Sequence, residues 1–275
     1  MVERVRSLSV AGLLAVFVGF TAAVVLLGRL VAAVFGWESV DLADYGSSAE
    51  TLAQNVLVPD LFVTALLLAL VAILGWWSLF REDRKVPAWF WVFPASLALV
   101  SLANTDWQNL SDQGTTYALT LAAAMLVVGF NEETMFRGVL LSGFREHGSE
   151  VYAWAWSTAL FGLVHGANVF NGSPVSQVIP QILNAFMLGT LFYLAKRVSG
   201  SLVVPILVHA LWDFSLFSHG GSGAEITAGG ETGLATVASA APVVVLVSFV
   251  IVLIVHNQWT LPETALAEAA WPRLW

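Results

Sequence analysis

The sequence predicts an all-α protein that crosses a membrane several times, and three observations carry that prediction. Of the 275 residues, 58% are hydrophobic and only 11% are charged, against roughly 25% charged residues in soluble domains. Mean hydropathy is +0.79. The apolar residues fall in runs of about 20, enough for a helix to cross the hydrocarbon layer. Eight runs are predicted, near residues 8–35, 61–80, 86–102, 117–143, 151–170, 178–195, 202–217 and 237–255. The chain reads as one multi-pass cell-membrane domain over 1–275. Spans one to three occupy 1–115, a core of spans four to seven occupies 116–218, and an outer loop, last span and tail occupy 219–275.

Each run has its own signals. The first follows Arg4 and Arg6 and outlasts the apolar core of a signal peptide, about 7–15 residues; its Arg29 is expected to snorkel or pair near the far end. The third starts at Pro87. The fourth and fifth are expected to form a hairpin that closes at Gly148 and Ser149, and Pro205 permits a kink in the seventh. The glycine-rich run 220–230 reads as an outer loop. The tail after Asn257, with Pro262, reads as a short helix on the membrane. Trp76, Trp77, Trp89, Trp91, Trp154 and Trp156 lie near predicted inner ends, where aromatic belts form.

Arg4, Arg6, Arg81, Arg84, Lys85, Arg145, Lys196, Arg197 and Arg273 occupy alternate connections. The connections between them carry acids: Glu38, Asp41, Asp44, Glu50 and Asp60, then Asp106 and Asp112, then Glu225 and Glu231. By the positive-inside rule both termini are cytoplasmic. The formal net charge of -8 argues against nucleic acid as a partner. There is no cysteine, which excludes disulfides, thiolate ligands and a cysteine nucleophile.

The functional signal is Asn131-Glu132-Glu133-Thr134-Met135-Phe136-Arg137-Gly138, three charges inside an apolar run. One charge at mid-bilayer costs about 2.5–3.5 kcal/mol on insertion scales, so a cluster implies pairing or use. In a helix Glu133 and Arg137 share a face with the acid on the favourable side, and Glu132 is turned away by about 100°. Glu133 and Arg137 are therefore expected to brace each other while Glu132 faces a cavity.

The other polar residues inside spans are His165 with Asn168, Asn184, and His209 with Asp213 four residues on. A hairpin closing at Gly148 brings Glu132 level with His165, and Phe161 lies one turn from His165. A buried carboxylate can take a proton from water while an imidazole aligns it, and a second imidazole can stabilise an oxyanion. That chemistry is amide hydrolysis. Two histidines and a carboxylate are also ligand types that zinc uses, although the HExxH spacing is absent.

Glu132-Glu133 with Arg137, then Phe161 with His165, then His209 with Asp213 resemble, in that order, the EExxxR, FxxxH and HxxxN/D pattern of the CAAX protease and bacteriocin-processing (CPBP or ABI) family of intramembrane proteases. The resemblance covers about residues 117–217. It implies a membrane endopeptidase with a cavity open to the cytoplasmic face, in which Glu132 and His165 activate water. His209 and Asp213 would hold the oxyanion, or else a divalent metal such as zinc would sit among Glu132, His165, His209 and Asp213. Glu133, Arg137, Phe161 and Asn168 would support them. The implied partners are the lipid bilayer and a membrane peptide or lipidated protein, of which a prenylated CaaX protein is one kind. An ionised Asp213 in place of asparagine cannot donate to an oxyanion. Two other readings compete: a non-enzymatic membrane immunity or partner-binding factor, and a proton-coupled carrier.

Overall fold

The computed structural model describes residues 8–37 and 44–221, and those residues form an all-α bundle. Arg4, Arg6, Glu38, Asp41, the 222–230 part of the glycine-rich run, the 237–255 span and the tail with Arg273 lie outside the described residues. Helix α1 is Val10–Phe35, α2 is Ala49–Leu74, α3 is Ala88–Asn104, α4 is Trp107–Gln113, and α5 is Thr115–Phe144. A turn at 145–149 leads to α6, Glu150–Val164, which passes into the 3-10 stretch His165–Asn171. Helices α7, Val175–Ser199, and α8, Val203–Phe217, complete the bundle.

Among the described residues four helices are long and apolar enough to cross a membrane: α1, α2, α5 and α7. The α3–α4 pair, bent by 55°, makes a fifth if it counts as one span. Helices α6 and α8 have 15 residues each, about 22 Å at 1.5 Å per residue, against about 30 Å of hydrocarbon. The protein is a multi-pass membrane protein, and the described residues do not by themselves supply eight full spans.

Local chemistry sets the helix ends. Ser48 and Thr51 form a capping box that starts α2 at Ala49, not near residue 61, and Gly75 at φ 68 ends it, so Trp77–Phe80 is a separate 3-10 turn. Asp60 is therefore not a loop acid. It lies inside α2, where Gln54, Asn55 and Asp60 depress the hydropathy that would have revealed the helix. The π stretch Ala53–Leu57 precedes Pro59 and widens the helix where the proline ring would meet the carbonyl four residues back. Pro205 sits in the first turn of α8, where a missing N–H breaks no helical bond, so the expected kink has no cause. Ser149 caps α6 by accepting from Tyr152 N, which closes the predicted hairpin at its predicted turn.

Helices α5 and α7 are central and about half buried, and α1 is peripheral and mostly exposed. Two glycines let backbones meet. A Cβ on Gly129 would lie 2.9 Å from Ile206 O, and one on Gly162 would lie 2.7 Å from Ile182 O. Helix α5 thus seats directly against α8, and α6 against α7, which gathers the three motif-bearing helices α5, α6 and α8 around α7.

Most of the basic residues assigned to inner loops converge at one end of the bundle. Arg84, Arg145 and Arg197 all pair with Glu150, at 2.8, 2.6 and 2.7 Å, and Arg145 also reaches Glu82 at 2.9 Å. Lys196 and Arg197 belong to the last turn of α7 and are buried. Lys196 Nζ donates to the carbonyl of Arg137 at 2.7 Å. Burial pushes the Glu150 carboxyl up, but the three arginines outweigh it and hold it at about 2.

Candidate active site

The site is built on the C-terminal half of α5. Immediately after Glu133 the helix widens into a π stretch, Thr134–Leu140, which contains Arg137. Such π turns recur at functional sites. Glu133 and Arg137 are fully buried, and Arg137 Nη1 donates to Glu133 Oε1 at 2.7 Å. The Arg137 guanidinium lies 4.0 Å over the Phe161 ring, a cation–π contact. Room for it exists because residue 189 is glycine: a Cβ there would lie 2.6 Å from Arg137 Nη2.

Glu133 does more than brace Arg137. Its Oε1 also meets His209 Nδ1 at 2.9 Å, so one carboxylate oxygen ties α5 to α8. The other nitrogen of His209, Nε2, lies 3.2 Å from Asp213 Oδ2 and 3.8 Å from Glu132 Oε2. Carboxylates only accept, so both ring nitrogens are set as donors. Phe192 stacks on the ring with centroids 4.4 Å apart, and Phe161 meets it edge-on at 5.7 Å.

His165 caps α6. Its Nδ1 lies 3.0 Å from the carbonyl of Phe161, which can only accept. That contact places the proton on Nδ1 and leaves Nε2 as an acceptor. Asn168, one 3-10 turn further on, donates to Gln181 Oε1 at 2.9 Å.

Glu132, His165, His209 and Asp213 all line one cavity of about 350 Å³, together with Phe161, Asn168 and Asn184. Glu132 Oε2 is buried and has no hydrogen-bond partner among the described residues. Asp60 also lines the cavity. Sequence reasoning missed it by placing it in a loop; its position beside two amide residues in an otherwise apolar stretch was the available signal. Asn131 Nδ2 donates to Asp60 Oδ1 at 3.1 Å, and Thr64 Oγ1 donates to Asn131 Oδ1 at 2.7 Å, so Asn131 fastens α2 to α5 next to Glu132.

The cavity leads away from the arginine-rich end. Its other wall is formed by Arg29, Tyr45, Gln54 and Gln181, from the opposite end of the bundle. Beneath Glu132 on the basic side the space is filled by Phe136, Arg137 and Lys196, all buried. Among the described residues, none of the arginine-cluster side chains Arg84, Arg145 and Arg197 lines this cavity, and those three pair with Glu150.

The donor set does not fit a metal. Among the described residues no three His, Asp or Glu side chains gather as a ligand set. His209 turns Nδ1 to Glu133 and Nε2 to Asp213, while His165 commits Nδ1 to a carbonyl.

Comparison with known proteins finds a match over part of the chain. A domain of the "Type II CAAX prenyl endopeptidase Rce1-like" family is detected over residues 114–215, which covers α5 to α7, most of α8, and Glu132, Glu133, Arg137, Phe161, His165, Asn168, His209 and Asp213, but not Asp60. An "Uncharacterized 24.3 kDa protein" of Escherichia coli is 29% identical over 91 residues, which is 33% of this chain and 39% of that protein. The match thus spans well under half of that relative's length. No solved structure matches.

Proposed function

We propose that the protein is an intramembrane endopeptidase of the CAAX prenyl endopeptidase type, hydrolysing a peptide bond of a membrane-associated or lipidated substrate. The observation that carries this reading is that an unpartnered Glu132 carboxylate oxygen shares a cavity with the acceptor nitrogen of His165 and with the His209–Asp213 pair. The eight-span arrangement with cytoplasmic termini, predicted from charge alternation, belongs to the same proposal.

The chemistry follows from donors and acceptors. A water molecule has two hydrogens; one is taken by Glu132 and the other is held by His165 Nε2, which aims an oxygen lone pair at the substrate carbonyl. As the C–O bond forms, the water proton passes to Glu132 and the carbonyl electrons collect on an oxyanion. His209 Nε2–H, held in place through Nδ1 by Glu133, stabilises that charge. In this reading Asp213 orients His209. Glu132 then delivers the proton to the leaving nitrogen as the C–N bond breaks, and acid and amine products separate.

A second reading rests on one contact. With Asp213 3.2 Å from His209 Nε2, that nitrogen already has a partner, as a binding-only factor with the same fold would tolerate. The test is cleavage of a membrane-peptide library by purified protein, with the Glu132→Ala variant and a strong chelator as separate arms. Cleavage that disappears in the variant and survives the chelator supports the water-activating Glu132. Biological function that survives Glu132→Ala supports the binding factor.

A further inference from the structure

We propose that Lys196 is a positioning residue of the site: it donates to the Arg137 carbonyl that the π stretch of α5 leaves without its helical donor, and so fixes the register in which Glu132 and Glu133 meet the cavity and His209. Its effect on turnover rests on the peptidase reading; its hold on the helix does not.

An α-helix gives each carbonyl the N–H four residues further on. For Arg137 that donor would be Leu141. The Leu141 N–H turns instead to Phe136 O, the five-residue partner of a π turn, and to Gly138 O. Every residue from Thr134 to Leu140 is buried, and a buried carbonyl without a donor is costly. Lys196 Nζ supplies the donor at 2.7 Å, reaching from the last turn of α7 across 59 residues of chain. Lys196 is itself buried, and a lysine inside an apolar bundle is too expensive to be idle. Its charge is met by Glu82 Oε2 at 3.9 Å, too far for a hydrogen bond, and that oxygen already accepts from Arg145 at 2.9 Å. The carboxylate balances the charge while the carbonyl takes the hydrogen.

The register matters because the two halves of α5 are seated separately. After the π stretch, Phe144 stacks on Trp156 with centroids 6.1 Å apart, and Arg145 pairs with Glu82 and Glu150. Before it, Asn131 is tied to Asp60 and Thr64, and Glu133 meets His209. One residue of an α-helix turns about 100°. Were the stretch to close into regular α-helix with its far half still seated at the basic end, the half carrying Glu132 would turn by about that angle. Its carboxylate would then leave the cavity that it shares with His165. Capping the Arg137 carbonyl from a neighbouring helix removes the reason for the stretch to close.

The test uses the full chain in lipid bilayers, isotopically labelled at arginine carbonyl carbon and glycine nitrogen. Arg137-Gly138 is the one Arg-Gly step in the sequence, so a carbonyl–nitrogen correlation spectrum reports that carbonyl as a single peak. In Lys196→Met the peak should move upfield as the hydrogen bond is lost. Turnover of a membrane peptide should fall by about 10²-fold in kcat with KM little changed, the cost of a slight misplacement of reacting groups. Lys196→Met also leaves Glu82 with less compensation, so Lys196→Met/Glu82→Gln is read beside it. The double variant should keep both changes. Recovery of kcat on adding Glu82→Gln would make charge balance the whole role of Lys196 and overturn the proposal. An unmoved peak or a wild-type kcat in a folded Lys196→Met overturns it as well. So does failure of both variants to fold, which would make Lys196 a residue of the fold and not of the site. The peak is read without substrate: a wild type that cleaves nothing removes the peptidase, while a moved peak leaves Lys196 assigned to the register of α5.

Discussion

The Glu133–Arg137 pair offers the most demanding test of how the site is held. Both side chains are fully buried, and Glu133 Oε1 is shared between Arg137 Nη1 at 2.7 Å and His209 Nδ1 at 2.9 Å. Removing one member of a buried pair leaves the other charge without compensation, a loss of about 3–5 kcal/mol. Glu133→Gln keeps the shape and removes the charge. Arg137→Met keeps much of the volume under Phe161. Each single variant should unfold about 10 °C lower in detergent, at roughly 2–4 °C per kcal/mol for chains near this size. The double variant should recover about 1–3 kcal/mol relative to the sum of the two, because neither charge is then stranded. Strictly additive losses would refute the pairing. The Glu133 variant should also lose activity at temperatures where it is folded, because Glu133 sets the ring of His209.

Other outcomes follow from the same geometry. Glu132→Gln and His165→Ala should each lower peptide cleavage by about 10²–10⁴ while thermal unfolding stays near wild type; near-normal turnover by either would remove it from the water-activating pair. Gly129→Ala puts a Cβ 2.9 Å from Ile206 O, so α5 and α8 must separate. It should cost about 1–3 kcal/mol and depress activity further by drawing His209 from Glu133, readable as a fall in kcat at a temperature where the variant is folded. Glu150 reads out acid stability. Its folded value of about 2 lies below the ordinary 4.5, so its contribution is complete above about pH 4.5 and is lost as pH falls from there toward 2. The size is on the order of 3 kcal/mol, and Glu150→Gln should flatten that part of the stability curve. An unchanged pH profile in the variant would contradict the arginine cluster.

Much of the architecture was legible from sequence because lipid imposes simple constraints. Long, predominantly apolar runs mark α1, α5 and α7, and turn residues at Gly148 and Ser149 mark the hairpin. The pairing of Glu133 with Arg137 follows from helical spacing alone. The start of α2 was hidden because Gln54, Asn55 and Asp60 face a cavity and so break the apolar pattern that announces a membrane helix. Lys196 and Arg197 look like loop charges because they end a helix; nothing local says that Lys196 bonds the Arg137 carbonyl or that Arg197 pairs with Glu150.

The sequence by itself determined that this is an all-α membrane protein and that Glu132, Glu133, Arg137, His165, His209 and Asp213 are the residues to watch, since charges in apolar helices are too costly to be incidental. Only the tertiary structure decided that Glu133 holds His209 as well as Arg137, that Asp60 and Arg29 belong to the cavity, and that the cavity leads away from the basic end. Those contacts depend on which faces of separate helices meet, and Gly129 and Gly162 set that by permitting backbone approach, which no spacing along a single helix encodes.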